Sequence, residues 1–178
     1  MPDREDHLQG KPVSASRISI AELLQPEHAN NLGNVHGGEI MKLVDEAGAL
    51  ACMRHAQQRV VTVAIDQMTF QQPIKLGDLV ILNAEVSFVG RTSMEAEVHV
   101  DAENPITGER THTNTAYLVY VALDEQGKPI PVPPLIPETE EQRHRMQDGL
   151  ARQKHRLSHM KQIASSASDD KLRQKIRE

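Results

Sequence analysis

A chain of 178 residues, 38% apolar and 25% charged, is long enough to bury a core in one domain with appendages and too apolar to be wholly disordered. Only four aromatics (Phe70, Phe88, Tyr117, Tyr120) and no Trp argue against a stacking platform for single-stranded nucleic acid, and a net charge of −5 argues against DNA or an anionic membrane as a partner. The lone Cys52 excludes an intramolecular disulfide framework; with no signal-peptide core and no apolar run near the ~20 residues that span a bilayer, the expected location is cytoplasmic.

Residues 1–13 mix charges, Pro and Gly and read as a mobile N-terminal arm. Ser14 to Leu24 reads as a strand and Gln25 to Gly33 as a loop. A helix is expected from Gly37 to His55, where Ile40, Met41, Leu43, Val44, Ala47, Ala49, Leu50, Ala51 and Cys52 cover most of the circumference, the pattern of a buried helix. Strands follow at Val60–Ile65, Leu79–Phe88, Met94–Asp101 and Thr111–Leu123, with turn residues between them. A strand, a long buried helix and then consecutive hairpin-linked strands make an α+β fold, an antiparallel β-sheet wrapped around a central helix. One sheet covers only part of such a helix, so oligomerisation is expected to cover the rest.

The folded domain is placed at residues 14–127. Residues 128–163 hold a proline-rich spacer (Pro129–Pro137) and a C-terminal helix opened by a capping box, Thr139 with Gln142. A thin stripe of Met146, Leu150, Leu157 and Met160 is expected to dock that helix on its own domain or on a neighbour. Residues 164–178 read as a disordered tail.

Chemistry concentrates between Asn34 and Asp45. Gly37-Gly38 at a helix start allows close backbone approach, and the helix dipole leaves partial positive charge there, where an anion or an oxyanion can sit. The plainer reading is a sharp entry into the helix. Asp45 lies in an apolar helix segment, where a carboxylate is costly unless partnered. It is either a reacting acid or a polar residue on a solvent stripe shared with Lys42 and Glu46. No G-x-S-x-G elbow, Walker loop, G-x-G-x-x-G or H-E-x-x-H competes. His36, His55, His99 and His112 do not share ligand spacing, so no metal is expected, and Cys52 reads as a small core residue rather than a thiol nucleophile beside His55.

The run Ala29-Asn30-Asn31-Leu32-Gly33-Asn34-Val35-His36-Gly37-Gly38, followed by Met41-Lys42 and Asp45-Glu46-Ala47-Gly48, resembles the hexameric acyl-CoA thioesterases of the hotdog superfamily. The similarity continues through Thr62-Val63-Ala64, Asp66, Phe70, Pro73, Gly77-Asp78, Gly90 to Glu95 and Pro131 to Glu140, about residues 14–155. It implies a hotdog fold assembled from dimers into a homohexamer, a trimer of dimers, and hydrolysis of acyl-CoA to a carboxylic acid and free CoA. It implies an Asn in the loop and an acid fifteen positions later as catalytic residues, which map onto Asn30 and Asp45, with the site formed across a dimer interface; Asn31 and Asn34 are close enough to shift that assignment.

On this reading Asp45 is general base or nucleophile, Asn30 orients water or carbonyl, and the Gly37 and Gly38 N–H groups are oxyanion donors. Arg91, Thr92 and Ser93, in a turn between strands, are the expected holders of the CoA phosphates. CoA is part of the substrate, and no cofactor, nucleic acid or membrane partner is implied. Two alternatives remain: an acyl-thioester hydratase or dehydratase using His36, and a non-catalytic acyl-CoA sensor whose C-terminal helix recruits a partner. Acyl-chain length is set by side chains such as Met41, Leu50 and Met53, which the sequence does not position.

Overall fold

The computed structural model describes residues 8–177, with side chains through residue 163. Among these the elements are β1 (Lys11–Pro12), β2 (Ile18–Leu23), α1 (Gly37–Ala56), β3 (Arg59–Met68), β4 (Leu79–Val89), β5 (Ser93–Glu103), β6 (Arg110–Leu123), β7 (Leu135–Ile136) and α2 (Glu140–Arg177). Five strands form an antiparallel sheet in the order β2-β4-β5-β6-β3, wrapped around α1 as expected. The first strand is shorter than its sequence suggests. Val13–Ser16 is a 3-10 turn, in which the Ser16 hydroxyl donates to Val13 O and accepts from Val86 N, competing with strand pairing.

Alternation fixes which face of the sheet meets α1. Val80, Leu82, Ala84 and Val86 of β4, Met94, Ala96, Val98 and Val100 of β5, and Ala116, Leu118, Tyr120 and Ala122 of β6 are all buried. Opposite them α1 buries Ile40, Leu43, Val44, Ala47, Gly48, Ala51 and Cys52. Each fully buried Val or Leu contributes ~1.5–3 kcal/mol. The helix is not buried all round, however: Met41, Leu50 and Met53 stay exposed on the flank that the sheet does not reach. The neighbouring edge strand β3 exposes Val61, Val63 and Ile65 and carries bulges at Thr62/Ala64 and Ile65/Gln67.

The outer face of the sheet is covered by α2, through contacts that differ from the expected apolar stripe. Leu150, Leu157 and Met160 are exposed. The docking face is instead Arg145, Gly149, Arg152 and Arg156. Arg145 pairs with Glu85 and Glu97, each at 2.8 Å. Arg152 pairs with Glu95 at 2.8 Å and lies 3.9 Å over the Tyr117 ring. Arg156 pairs with Asp66. Gly149 allows the close approach, since a Cβ there would stand 2.5 Å from Phe88 Cβ. Apolar periodicity missed this face because arginine stems cover apolar surface while their guanidinium groups reach carboxylates. The expected capping box is present: Gln142 N donates to Thr139 Oγ1 at 3.2 Å, and Gln142 Oε1 accepts from Glu138 N and Thr139 N.

The N-terminal segment is tied down from Lys11 onward. β1 pairs in parallel with β7 of the proline-rich spacer, Ser14 donates twice to Glu138, and Lys11 Nζ donates to His55 O near the negative end of α1. The expected mobile arm of residues 1–13 is thus corrected from Lys11 onward, and residues 1–7 lie outside the described residues. At the other end, the backbone of α2 is helical to Arg177, through the segment read as a tail. Helix-forming Ala, Lys, Leu, Arg and Gln residues there favour this continuation. No helix among the described residues is long and apolar enough to cross a membrane.

Glu95 is only 2% exposed, so removing its arginine would strand a buried charge. Arg152→Ala should lower the unfolding free energy by about 3 kcal/mol in denaturant titration, whereas Arg143→Ala, whose partner Glu140 is exposed, should change it by less than about 0.5 kcal/mol. Burial alone would raise the pKa of Glu97, but hydrogen bonds from His99 and Arg145 outweigh it and hold the carboxyl at about 2, below its ordinary 4.5. The stability it contributes is therefore complete above pH 4.5 and drains away as pH falls toward 2. Glu97→Gln should flatten that acid limb in a pH series of thermal melts.

Candidate active site

The loop before α1 is folded by Asn30. Its Oδ1 accepts from Leu32 N at 2.8 Å and Asn34 N at 3.2 Å, its Nδ2 donates to Val35 O at 3.3 Å, and Gly33, at φ 79°, closes back on Asn30 O. Asn30 is thus an organiser of its own loop, with the second Nδ2 hydrogen left without an acceptor among the described residues. Asn30 and Gly37 line one cleft with Asn34, Ile40, Phe70 and Pro73.

At the helix start the two glycines differ. His36 is the N-cap, and its Nδ1 accepts from Gly38 N at 2.9 Å. Gly38 therefore already spends its N–H on the cap, in contrast to the free donor expected of it. The Gly37 N–H meets no acceptor among the described residues. That bond uses Nδ1 of His36 as an acceptor, so a hydratase reading would have to work through Nε2.

Asp45 lies on the open flank of α1, half-buried, with Lys42 and Glu46 exposed beside it. Thr62 Oγ1 on β3 donates to Asp45 Oδ1 at 2.6 Å. The Tyr120 hydroxyl on β6 stands 2.9 Å from Asp45 O and 3.2 Å from the same Oδ1. Both donors converge on one carboxylate oxygen, and Oδ2 has no hydrogen-bond partner among the described residues. Asp45 is thus held by specific donors rather than sharing a purely solvated stripe, and it makes no ion pair with Lys42.

Thr62 and Tyr120 were absent from the sequence-derived site. Thr62 sits in a β-branched run that reads as ordinary strand, beside a bulge at Thr62/Ala64. Arg91, Thr92 and Ser93 lie where expected, at the β4–β5 turn. There Thr92 O accepts from Ala122 N and Arg91 O from Val132 N, which puts the turn beside the spacer and toward the C-terminal end of α1. The structure therefore brings Asn30 and Gly37 together, and keeps Asp45 and the Arg91 turn apart from them. Cys52 is fully buried, and burial pushes its thiol pKa up, so it is a core residue. His55 points instead at Pro133 O, 2.8 Å from Nε2. Among the described residues no cluster of His, Cys, Asp and Glu is arranged to hold a metal.

A sequence profile of the thioesterase superfamily matches residues 32–109. An uncharacterized acyl-CoA thioester hydrolase of Bacillus subtilis is 36% identical over 166 residues, covering 92% of this chain and 93% of that one. The cytosolic acyl coenzyme A thioester hydrolase of Rattus norvegicus is 37% identical over 142 residues, 79% of this chain, but the match spans only 37% of that longer relative. An apo-hexameric acyl-CoA thioesterase superposes with a TM-score of 0.82 at 40% identity, covering 86% of this chain and 98% of that one. The acyl-CoA hydrolase of Staphylococcus aureus superposes with TM-scores of 0.82, 0.82 and 0.81 in variants that replace an Asp, an Asn and a Thr by Ala, at 29%, 30% and 29% identity, covering 90%, 93% and 89% of this chain and 98% of each of those. In that protein the Asn precedes the Asp by 15 residues and the Thr follows it by 17, the same separations as Asn30, Asp45 and Thr62. The shared fold is the hotdog arrangement.

The His36 cap has a measurable consequence. His36→Ala removes the acceptor for Gly38 N–H and should destabilise the protein by ~1 kcal/mol, the usual scale for losing an N-cap side chain, read as a lower midpoint in denaturant unfolding.

Proposed function

The chain belongs to the thioesterase superfamily, among relatives that are acyl-CoA thioester hydrolases, and from that premise we propose that it hydrolyses acyl-CoA to a free carboxylic acid and CoA in the cytoplasm. The observation that carries the reading is the Asp45 carboxylate, with Oδ1 held by two hydroxyl donors and Oδ2 left open. A carboxylate so presented can take a proton from water. Water oxygen then bonds to the thioester carbonyl carbon, the oxyanion forms, the C–S bond breaks, and the proton passes from Asp45 to the departing thiolate. The Asp45-to-Asn30 and Asp45-to-Thr62 separations, equal to those of the residues replaced in the Staphylococcus aureus hydrolase, support the same three positions here.

Distance argues that the site is shared. Gly37 and Asp45 are eight residues apart, about 12 Å along the helix axis. An oxyanion donor must stand ~3 Å from the carbonyl oxygen, and a base that acts through water must lie within one water molecule of the carbonyl carbon, a shorter span than one copy of α1 supplies. The site therefore combines the Asn30–Gly37 cleft of one copy with Asp45 and Thr62 of another. The seam runs along β3, where Val61, Val63 and Ile65 are exposed beside Met41, Leu50 and Met53. Those apolar residues also suit an acyl chain, and Arg91, Thr92 and Ser93 suit the CoA phosphates. The assembly is a trimer of dimers, in keeping with the relatives solved as hexamers. The chemistry needs no cofactor.

Thiol release from a panel of short- to long-chain acyl-CoAs tests the reading. Asp45→Asn should lower kcat by ~10²–10⁴-fold, the usual share of a general base, and full activity in that variant would end the proposal. Arg91→Glu should raise KM by roughly tenfold through the loss of a charged phosphate contact while kcat stays within about twofold. A protein that binds acyl-CoA without releasing thiol would instead be a sensor.

A further inference from the structure

Tyr120 is a fully buried phenol that the hydrolysis outlined above does not use. Its single hydroxyl hydrogen lies between Asp45 O at 2.9 Å and Asp45 Oδ1 at 3.2 Å. The space it occupies is kept open by Gly48, one turn after Asp45 on the same helix. A Cβ at Gly48 would stand 2.4 Å from Tyr120 Oη and 3.0 Å from both Cε2 and Cζ. Any residue larger than glycine would push the phenol off Asp45. Satisfying the backbone does not explain this arrangement, because the Asp45 carbonyl lies inside α1 and is already served by the helix ladder.

The carboxylate is what gains. The terminal torsion of an aspartate is broad, so the plane of an untethered Asp45 carboxylate is not fixed. Thr62 Oγ1 and Tyr120 Oη approach the same oxygen from two different strands. We propose that Tyr120 is a positioning residue for Asp45: seated in the space left by Gly48, its hydroxyl fixes the plane of the carboxylate, so that the oxygen without donors is aimed at the reacting water or thioester. The inference rests on Asp45 being the reacting acid. Burial, and then the adjacent Asp45 charge, push the Tyr120 pKa up, so the hydroxyl keeps its proton and remains a donor throughout the neutral range. Thr62 limits the torsion from the open side and Tyr120 from the core side. Of the two, only Tyr120 also grips the backbone of the residue that it orients.

Tyr120→Phe keeps the ring and its packing and removes only the donor. Its kcat should fall roughly ten- to a hundred-fold, the scale of a misaligned reacting group, with KM for acyl-CoA within about twofold. Gly48→Ala retains the hydroxyl but displaces it and should give the same split. In an Asp45→Asn background, Tyr120→Phe should cost nothing further, since no carboxylate remains to be oriented. Wild-type kcat in Tyr120→Phe would overturn the proposal, as would an equal fold-loss in the Asp45→Asn background, which marks a general structural role. If Asp45→Asn is inactive while Tyr120→Phe is normal, only the positioning role falls. If Asp45→Asn is fully active, the acid assignment falls and the positioning role with it.

Discussion

The approach of α1 to the sheet at Gly48 and Tyr120 is the contact on which the remaining geometry depends. Ala47, Gly48 and Ala51 are all buried on the helix face toward the sheet, and their small size sets how closely the two layers lie. Interiors are close-packed and do not absorb added volume smoothly. A larger residue at Gly48 would lift the helix, separating Asp45 from Thr62 on β3, or drive out the phenol, separating Asp45 from Tyr120 on β6. The same contact that closes the core thus also fixes the height at which the carboxylate stands beside the edge strand.

The outer face follows a different logic. Glu95 and Glu97 are nearly inaccessible, and carboxylates in such places add little net stability compared with apolar residues of similar volume. What they supply is register. Arg145 meets β4 and β5, Arg152 meets β5 and lies over Tyr117 of β6, and Arg156 meets β3, so the helix steps across the sheet in strand order. A slip of one residue turns each side chain by about 100° around the helix and breaks all these pairs at once. An apolar stripe would tolerate such a slip far better. β6 thus carries Tyr117 toward α2 on one face and Tyr120 toward Asp45 on the other.

The layered plan was legible in the sequence because period-2 alternation in β4, β5 and β6 and the apolar density of α1 are direct consequences of burial. Strand bounds were close for the same reason. The docking face of α2 was not legible, since its residues are charged and a search for apolar periodicity finds the neighbouring Leu150–Leu157 stripe, which is exposed. Asp45 was visible as a carboxylate out of place in an apolar helix, while Thr62 and Tyr120 were not, because a Thr and a Tyr in strands look like any others until the register brings them to one oxygen. Asn30 and Gly38 show the opposite difficulty. Their residue types suit catalysis, yet in this chain the Asn30 amide folds its own loop and the Gly38 N–H serves the His36 cap, duties that only coordinates reveal.

On the proposed reading, the division of chemical groups along α1 leaves a single copy short. The N-terminus offers a neutral donor, the Gly37 N–H, backed by the dipole. Asp45, the proposed base, sits about 12 Å further along, on the flank where α2 does not cover the helix. A lone chain would leave that flank, with Met41, Leu50 and Met53, and the apolar edge of β3 in water. Covering them with a second copy removes apolar surface and an unpaired strand edge together. An antiparallel pairing of two such helices would also bring each N-terminus toward the other's third turn. In such a pairing, the separation along one helix is the separation that a two-fold axis would correct: burial of the apolar flank and assembly of the proposed donor with the proposed base would become a single event.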